Sequence, residues 1–323
     1  DELPPIPVMF GCFERCEKST GKPLYNSVLV ANNGKIVHTT RKQLLPEYDV
    51  FDENRYFEPG SPGELFNCGG LNIGVTVCED IWHYAVDDYR SRPVADLHAQ
   101  ALKEGRSLDL LINVSASPYH RGKTQVRQSI FSSLTAQYGI PFFYVNQVGG
   151  QDSLLFDGAS LALDGGGNTI ARAAHFKEDM VVVDTEKWRG ELRTAGETEE
   201  VELVHDALVM GIHDYVTKSG FKQAVIGLSG GIDSALTAAL AVRALGAENV
   251  LGVALPSPYS SKESLEDAEA LALGCGCRFE ILPISDLFAG YRTSLSRLFA
   301  GCQEDVTEQN IQARIRGNLL MAL

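Results

Sequence analysis

A chain of 323 residues, 44% hydrophobic and 22% charged, has the composition of a globular protein and the length for about two domains, each with its own core. Its net charge of −14 argues against a nucleic-acid partner, which needs a basic surface to displace counterions from phosphates. No apolar run approaches the roughly 18 residues that cross a bilayer and no leader-like segment opens the chain, so no membrane partner and a cytoplasmic location are expected.

Seven cysteines, an odd number with no CxxC pair, argue against a disulfide framework and a structural zinc site. The chain opens at Asp1 rather than Met, and Leu323 interrupts a helical pattern, so both ends are expected to be cut.

In chain order, short β-rich runs at 7–13, 27–31, 35–40, 71–77, 110–115, 142–147, 159–163 and 180–184 are bounded by Gly, Asn and Asp, as turns require. Helical patterns fall at 94–104 and 124–138. This strand-rich order predicts a layered α/β sandwich over residues 1–185. Residues 186–203 turn polar and charged, without apolar periodicity, and read as an interdomain linker. From 204 to 323 the rhythm is regular. Helices at 204–218, 234–244, 264–273, 287–299 and 308–323 alternate with strands at 224–228, 250–255 and 279–284, predicting right-handed βαβ units in a doubly wound parallel sheet. No internal repeat or low-complexity tract occurs.

Ser229-Gly230-Gly231-Ile232-Asp233-Ser234 follows the apolar strand AVIGL and opens a helix. Glycines let the backbone approach an anion closely, while loop N–H groups, two hydroxyls and the helix N-terminus supply complementary charge. A phosphate chain is the expected ligand. No GxxxxGK[ST] occurs, so the lysine of ordinary P-loop ATPases is absent. The alternative is a glycine-rich turn capped by Asp233 or Ser234. The SGGxDS run resembles the pyrophosphate loop of ATP pyrophosphatases, which cleave ATP between the α- and β-phosphates.

Cys78 ends the strand LNIGVTV and precedes Glu79-Asp80-Ile81-Trp82. A thiol where the chain leaves a sheet is expected to be exposed enough to attack an amide carbonyl. Taken alone it could equally be a small buried hydrophobe. Upstream stand Lys42, in KQLLPEY, and Glu53, in FDENRYF; these could be a surface charge and a helix-start residue. Together the runs resemble the nitrilase family, with its Cys, Lys and Glu. The match extends through NVSASPYH (113–120), Gly122-Lys123, VNQVGGQD (145–152) and Phe156-Asp157-Gly158.

The resemblance implies that Cys78 forms a thioester with glutamine, that Lys42 stabilises the charged intermediate and favours the thiolate, and that Glu53 supports the centre. It also implies that Tyr48, Trp82 and Ser117 border the glutamine. His120 is assigned no chemistry.

A nitrilase-type glutaminase followed by a pyrophosphate-loop synthetase resembles the glutamine-dependent NAD⁺ synthetase family across nearly the whole chain. PSPYSS (256–261) and EQNIQAR (308–314) add to the match, the latter with Gln309 in place of the commoner Glu. The resemblance implies ATP, Mg²⁺ held in part by Asp233, and deamido-NAD⁺ near Asn310 and Arg314, although a polar surface helix explains 308–314 as well. It further implies a homo-oligomer when full length. In the family a general-base glutamate precedes the lysine. Here the acids before Lys42 are Asp1, Glu2, Glu14 and Glu17, the last two in a polar connection. The chain is therefore expected to start inside the glutaminase domain and to be a weak glutaminase by itself. Two other readings stand beside this one: a pyrophosphate-loop tRNA-modifying enzyme, and a nucleotide-binding remnant without complete active sites.

Overall fold

The computed structural model describes residues 6–18, 20–84, 89, 91–193 and 199–323. The chain divides into two units, Asp1–Gly149 with Ser153–Val204 and Gly150–Asp152 with His205–Leu323.

The first unit opens with an antiparallel sheet of β1 (Val8–Arg15), β2 (Leu24–Asn32) and β3 (Lys35–Arg41). Asn33-Gly34 joins the last two, both at positive φ (48° and 74°), as a tight hairpin turn requires. The second sheet has β4 (Phe66–Cys68), β5 (Leu71–Val77), β6 (Leu110–Ser115) and β7 (Phe142–Asn146). A separate hairpin of β8 (Val148–Gln151) and β9 (Leu154–Asp157) intervenes before β10 (Leu161–Leu163) and β11 (Thr169–Arg172) complete that sheet. Its order is β11-β10-β7-β6-β5-β4, with β5, β6 and β7 parallel and the flanking pairs antiparallel.

The parallel centre is buried on both faces, which is why LNIGVTV and LLINVS carry nearly continuous apolar runs. One face packs Ile73, Val75, Val77 and Leu110 against Val28 of β2. The other packs Leu111, Phe142 and Tyr144 against α1 (Pro93–Lys103) and α2 (Lys123–Tyr138), through Leu97, Ile130 and Leu134. The result is a layered sheet–sheet–helix sandwich.

Three sequence expectations change here. Of the strand expected at 180–184, only Val183–Asp184 pairs, as β12 with β13 (Arg189–Gly190). Met180 and Val182 point into solvent, 78% and 63% exposed, so their apolar character marks no core face. The segment read as a linker, 186–203, contains β13, a bridge between Leu192 and Arg172, and the first turn of α3 (Glu200–Lys218); residues 194–198 lie outside the described residues. Glu14 is not in a connection. It lies in β1, where it accepts hydrogen bonds from Arg41 and Ser27. Glu17 does follow the strand, and Asp1 and Glu2 lie outside the described residues.

In the second unit β14 (Ala224–Gly227), β15 (Val250–Ala254) and β16 (Arg278–Ile281) form a parallel sheet in sequence order. They alternate with α4 (Ile232–Leu245) and α5 (Lys262–Cys275), and α6 (Ser285–Leu295) and α7 (Val306–Ala322) follow. Ile226 and Phe279 pack with Ala238, Ala268 and Ala272 of α4 and α5. Val225, Leu251 and Val253 pack with Phe288 and Ile315 of α6 and α7. Helices thus cover both faces. Helix starts are set by caps: Ser261 accepts from the Ser264 N–H, and Asp305 closes a capping box with Glu308. No helix among the described residues is long and apolar enough to cross a membrane.

Candidate active sites

β5 delivers Cys78 at its C-terminal end, where a 3₁₀ helix (Cys78–Tyr84) begins. Cys78 takes a left-handed backbone, φ 44°, a conformation that costs a non-glycine residue about 1–2 kcal/mol and persists only where neighbours fix it. Those neighbours are polar. Asn113 donates to the Cys78 carbonyl at 3.3 Å and to Thr76 Oγ1 at 3.1 Å, and Ser115 orients Asn113 from 2.6 Å.

The cysteine was expected to be exposed, which this structure does not bear out; the Lys42 ammonium does favour the thiolate, as expected, but burial works against it. Cys78 is 8% exposed, and burial pushes its thiol up, outweighing the opposing pull of Lys42 and of the Ala116 N–H.

Lys42 follows β3 and is 1% exposed, so it is no surface charge. Its Nζ lies 2.6 Å from Glu53 Oε1, at the start of a one-turn helix. Burial disfavours the ammonium, but Cys78, Glu53 and Asp80 together outweigh that and hold its pKa above the ordinary lysine value. Tyr48 donates to Glu79 Oε1 at 3.0 Å and Tyr89 to the same atom at 2.8 Å. Trp82 is buried beneath the ammonium of Lys123, whose Nζ is 3.9 Å from the ring centroid. Burial lowers the pKa of Lys123, helped by nearby Arg127.

Ser117 is clamped through its backbone: its N–H donates to Asn146 Oδ1 at 3.0 Å and its carbonyl accepts from Arg127 Nη2 at 2.9 Å. Arg127 reaches both oxygens of Asp157 at 2.8 and 2.7 Å, and Asn146 also donates to Asp157 at 3.2 Å. A thiol, the ammonium groups of Lys42 and Lys123, and the carboxylates of Glu53, Glu79 and Asp80 thus share one corner. Sequence reasoning quoted Glu79, Asp80, Lys123 and Asp157 inside motifs without giving them roles, because most of their partners stand 10 to 41 residues away.

In the second unit Ser229–Gly231 links β14 to α4. Gly230 has φ 80°, and a Cβ there would fall 2.4 Å from the Ser264 carbonyl oxygen, so glycine is required. Ser234 Oγ lies 3.1 Å from Ser229 Oγ and donates to the Gly231 carbonyl at 2.9 Å. Ile232 and Asp233 are exposed on the first turn of α4. A cavity of about 650 Å³ opens beside the loop, lined by Ser229, Tyr259, Ser260, Ser264 and Arg316. Asn310 and Arg314 do not line it; Arg314 donates to the Asn310 carbonyl on the exposed side of α7. Arg316, on the same helix, does line it and donates from Nε to the Leu255 carbonyl at 3.0 Å.

A thiol at a strand end beside a buried lysine and its partly exposed glutamate partner stands on an α/β sandwich, and the chain belongs to the carbon–nitrogen hydrolase family, whose model matches residues 6–189. The NAD synthase model matches 204–323. Over its whole length the chain is 42% identical to the glutamine-dependent NAD(+) synthetase of Synechocystis sp., covering 59% of that protein. It is 42% identical to that of Thermotoga maritima, with 93% of this chain and 56% of the relative aligned. The structure of glutamine-dependent NAD⁺ synthetase from Acinetobacter baumannii, in complex with ADP, superposes with a TM-score of 0.86 at 38% identity, over 97% of this chain and 57% of that one. The resemblance read from the sequence is thereby shown. The chain spans somewhat more than half the length of these relatives.

Proposed function

We propose that the first unit hydrolyses the side-chain amide of glutamine and that the second uses ATP and the released ammonia to convert deamido-NAD⁺ to NAD⁺. The observation that carries the first half is the buried ammonium of Lys42, held by Glu53 and coupled electrostatically to the Cys78 thiol. Cys78 Sγ attacks the amide carbon, the C–N bond breaks, ammonia leaves, and water hydrolyses the thioester to glutamate. Lys42 offsets the charge on the oxygen of the tetrahedral intermediate. Trp82, Tyr48 and Ser117 wall the glutamine, and Glu79 and Lys123 bring opposite charges suited to its ammonium and carboxylate ends.

In the second unit the Ser229–Ser234 loop would take the phosphates of ATP. Gly230 fits this, since only glycine holds the left-handed turn packed against the Ser264 backbone, and both hydroxyls stand at that turn. The nicotinate carboxylate attacks the α-phosphorus, pyrophosphate leaves, and ammonia displaces AMP. One acid, Asp233, suits a Mg²⁺ ion held mainly by substrate phosphates, where it would offset their charge. Asn310 and Arg314 remain the proposed contacts of deamido-NAD⁺. Cytoplasmic location and homo-oligomeric assembly at full length go with this reading. A tRNA-modifying enzyme would leave the amide-cleaving unit without a use.

In the full-length protein, Cys78→Ala should abolish NAD⁺ formation from glutamine and leave formation from free ammonia nearly intact. Equal loss with both donors would refute the division of labour, and release of ADP and orthophosphate instead of AMP and pyrophosphate would refute the loop assignment.

A further inference from the structure

We propose that Asp80 is a positioning residue for the Lys42–Cys78 pair, its carboxylate clipping the backbone that follows Lys42 to the end of the strand that delivers Cys78. The inference rests on the glutaminase reading of the first unit. Asp80 is fully buried. Its Oδ1 accepts from the Gln43 and Leu44 N–H groups, each at 2.9 Å, and its Oδ2 from the Val77 N–H at 3.0 Å. The two sides of this clip lie in different layers, next to Lys42 in one and to Cys78 in the other.

Lys42's own backbone is tied locally: its N–H donates to the Asn26 carbonyl and its carbonyl accepts from the Gly60 N–H, both at 2.8 Å. Those bonds fix Lys42 within the outer sheet. Asp80 carries that placement across to β5. It also steadies the left-handed turn at Cys78 by holding the residue before it.

A carboxylate is the group this geometry requires, because three N–H donors converge on two acceptor oxygens. An asparagine offers one acceptor oxygen and turns an NH₂ toward at least one of the donors. A glutamate adds a methylene to a fully buried position, where overpacking is costly.

The test is the pH profile of Cys78 alkylation by iodoacetamide, followed by mass spectrometry on the intact chain, with thermal midpoints measured in parallel. Lys42→Ala and Asp80→Asn are compared with the parent. Both should shift the profile to higher pH, Asp80→Asn by about one unit, which is about a tenfold slower reaction at neutral pH. If Lys42→Ala shifts the profile and Asp80→Asn lowers the thermal midpoint but leaves the profile in place, Asp80 is merely structural and the inference falls. If the Lys42→Ala profile also superposes on the parent, the glutaminase reading falls instead. Should Asp80→Asn not fold, Asp80→Ser, a smaller side chain that keeps one acceptor, is measured in its place against the same outcomes.

Discussion

The ammonium of Lys42 and the carboxylate of Glu53 meet at 2.6 Å, and of the two only the glutamate retains contact with water, with 18% of its side chain exposed against 1%. Their removal is therefore unequal. Glu53→Ala strands a buried cation and should cost about 3 kcal/mol, whereas Lys42→Met leaves a carboxylate that water can still reach and should cost about 1 kcal/mol. Urea denaturation of both variants checks the order; a larger loss for Lys42→Met would contradict it.

Arg127 and Asp157 form the most enclosed ion pair described here, 5% and 0% exposed. Arg127→Met should destabilise by about 3–5 kcal/mol by leaving Asp157 uncompensated. It should also raise KM for glutamine, because the Ser117 carbonyl loses its clamp. A stability loss with KM unchanged would separate this pair from the glutamine wall.

Gly230→Ala should abolish nucleotide binding while the second unit stays folded. The new methyl meets a backbone oxygen rather than a yielding side chain, and φ 80° disfavours any Cβ. Titration with a fluorescent ATP analogue reads the loss; unaltered affinity would show that the loop tolerates a shift and does not cradle the phosphates.

Burial pushes the Asp80 carboxyl up to about 6, against the opposing pull of three N–H groups and Lys42. Because the folded-state pKa lies above the unfolded one, this group adds stability that is fully present below about pH 4 and is lost as pH rises through about 6. The stability of the parent relative to Asp80→Asn should therefore grow as pH falls from 6 to 4. Denaturation midpoints at four pH values isolate it, since the other groups cancel in the difference, and a flat difference would refute the shift.

Much of the fold was legible in the sequence. β14, β15 and β16 and their helices lie within a few residues of expectation, because short apolar strands alternate with longer helical runs, several of them bounded by a glycine or a capping side chain. What sequence missed lacks such a period. β4 has three residues, β8 is the glycine-rich VGGQ, and a 3₁₀ helix such as Cys78–Tyr84 has no face of its own for a pattern to mark. At the site, Cys78 and Lys42 were readable from their company. The burial that raises the thiol's pKa was not, since Cys78 joins a core cluster assembled from strands of both sheets, far apart in the chain. The roles of Asp80 and Asp157 were hidden for a related reason: each binds groups 30 or more residues away, and no local pattern records that.

Trp82 and Trp188 are the chain's two tryptophans. Trp188 lies edge-on to Phe143, 6.4 Å between ring centres, while Trp82 sits under a lysine cation. An ammonium on an indole face biases the excited-state charge shift, so the emission of Trp82 depends on where Lys123 stands. In a Trp188→Phe protein the remaining fluorescence comes from the wall of the proposed glutamine site. Occupancy of that corner then becomes an optical signal that needs no label.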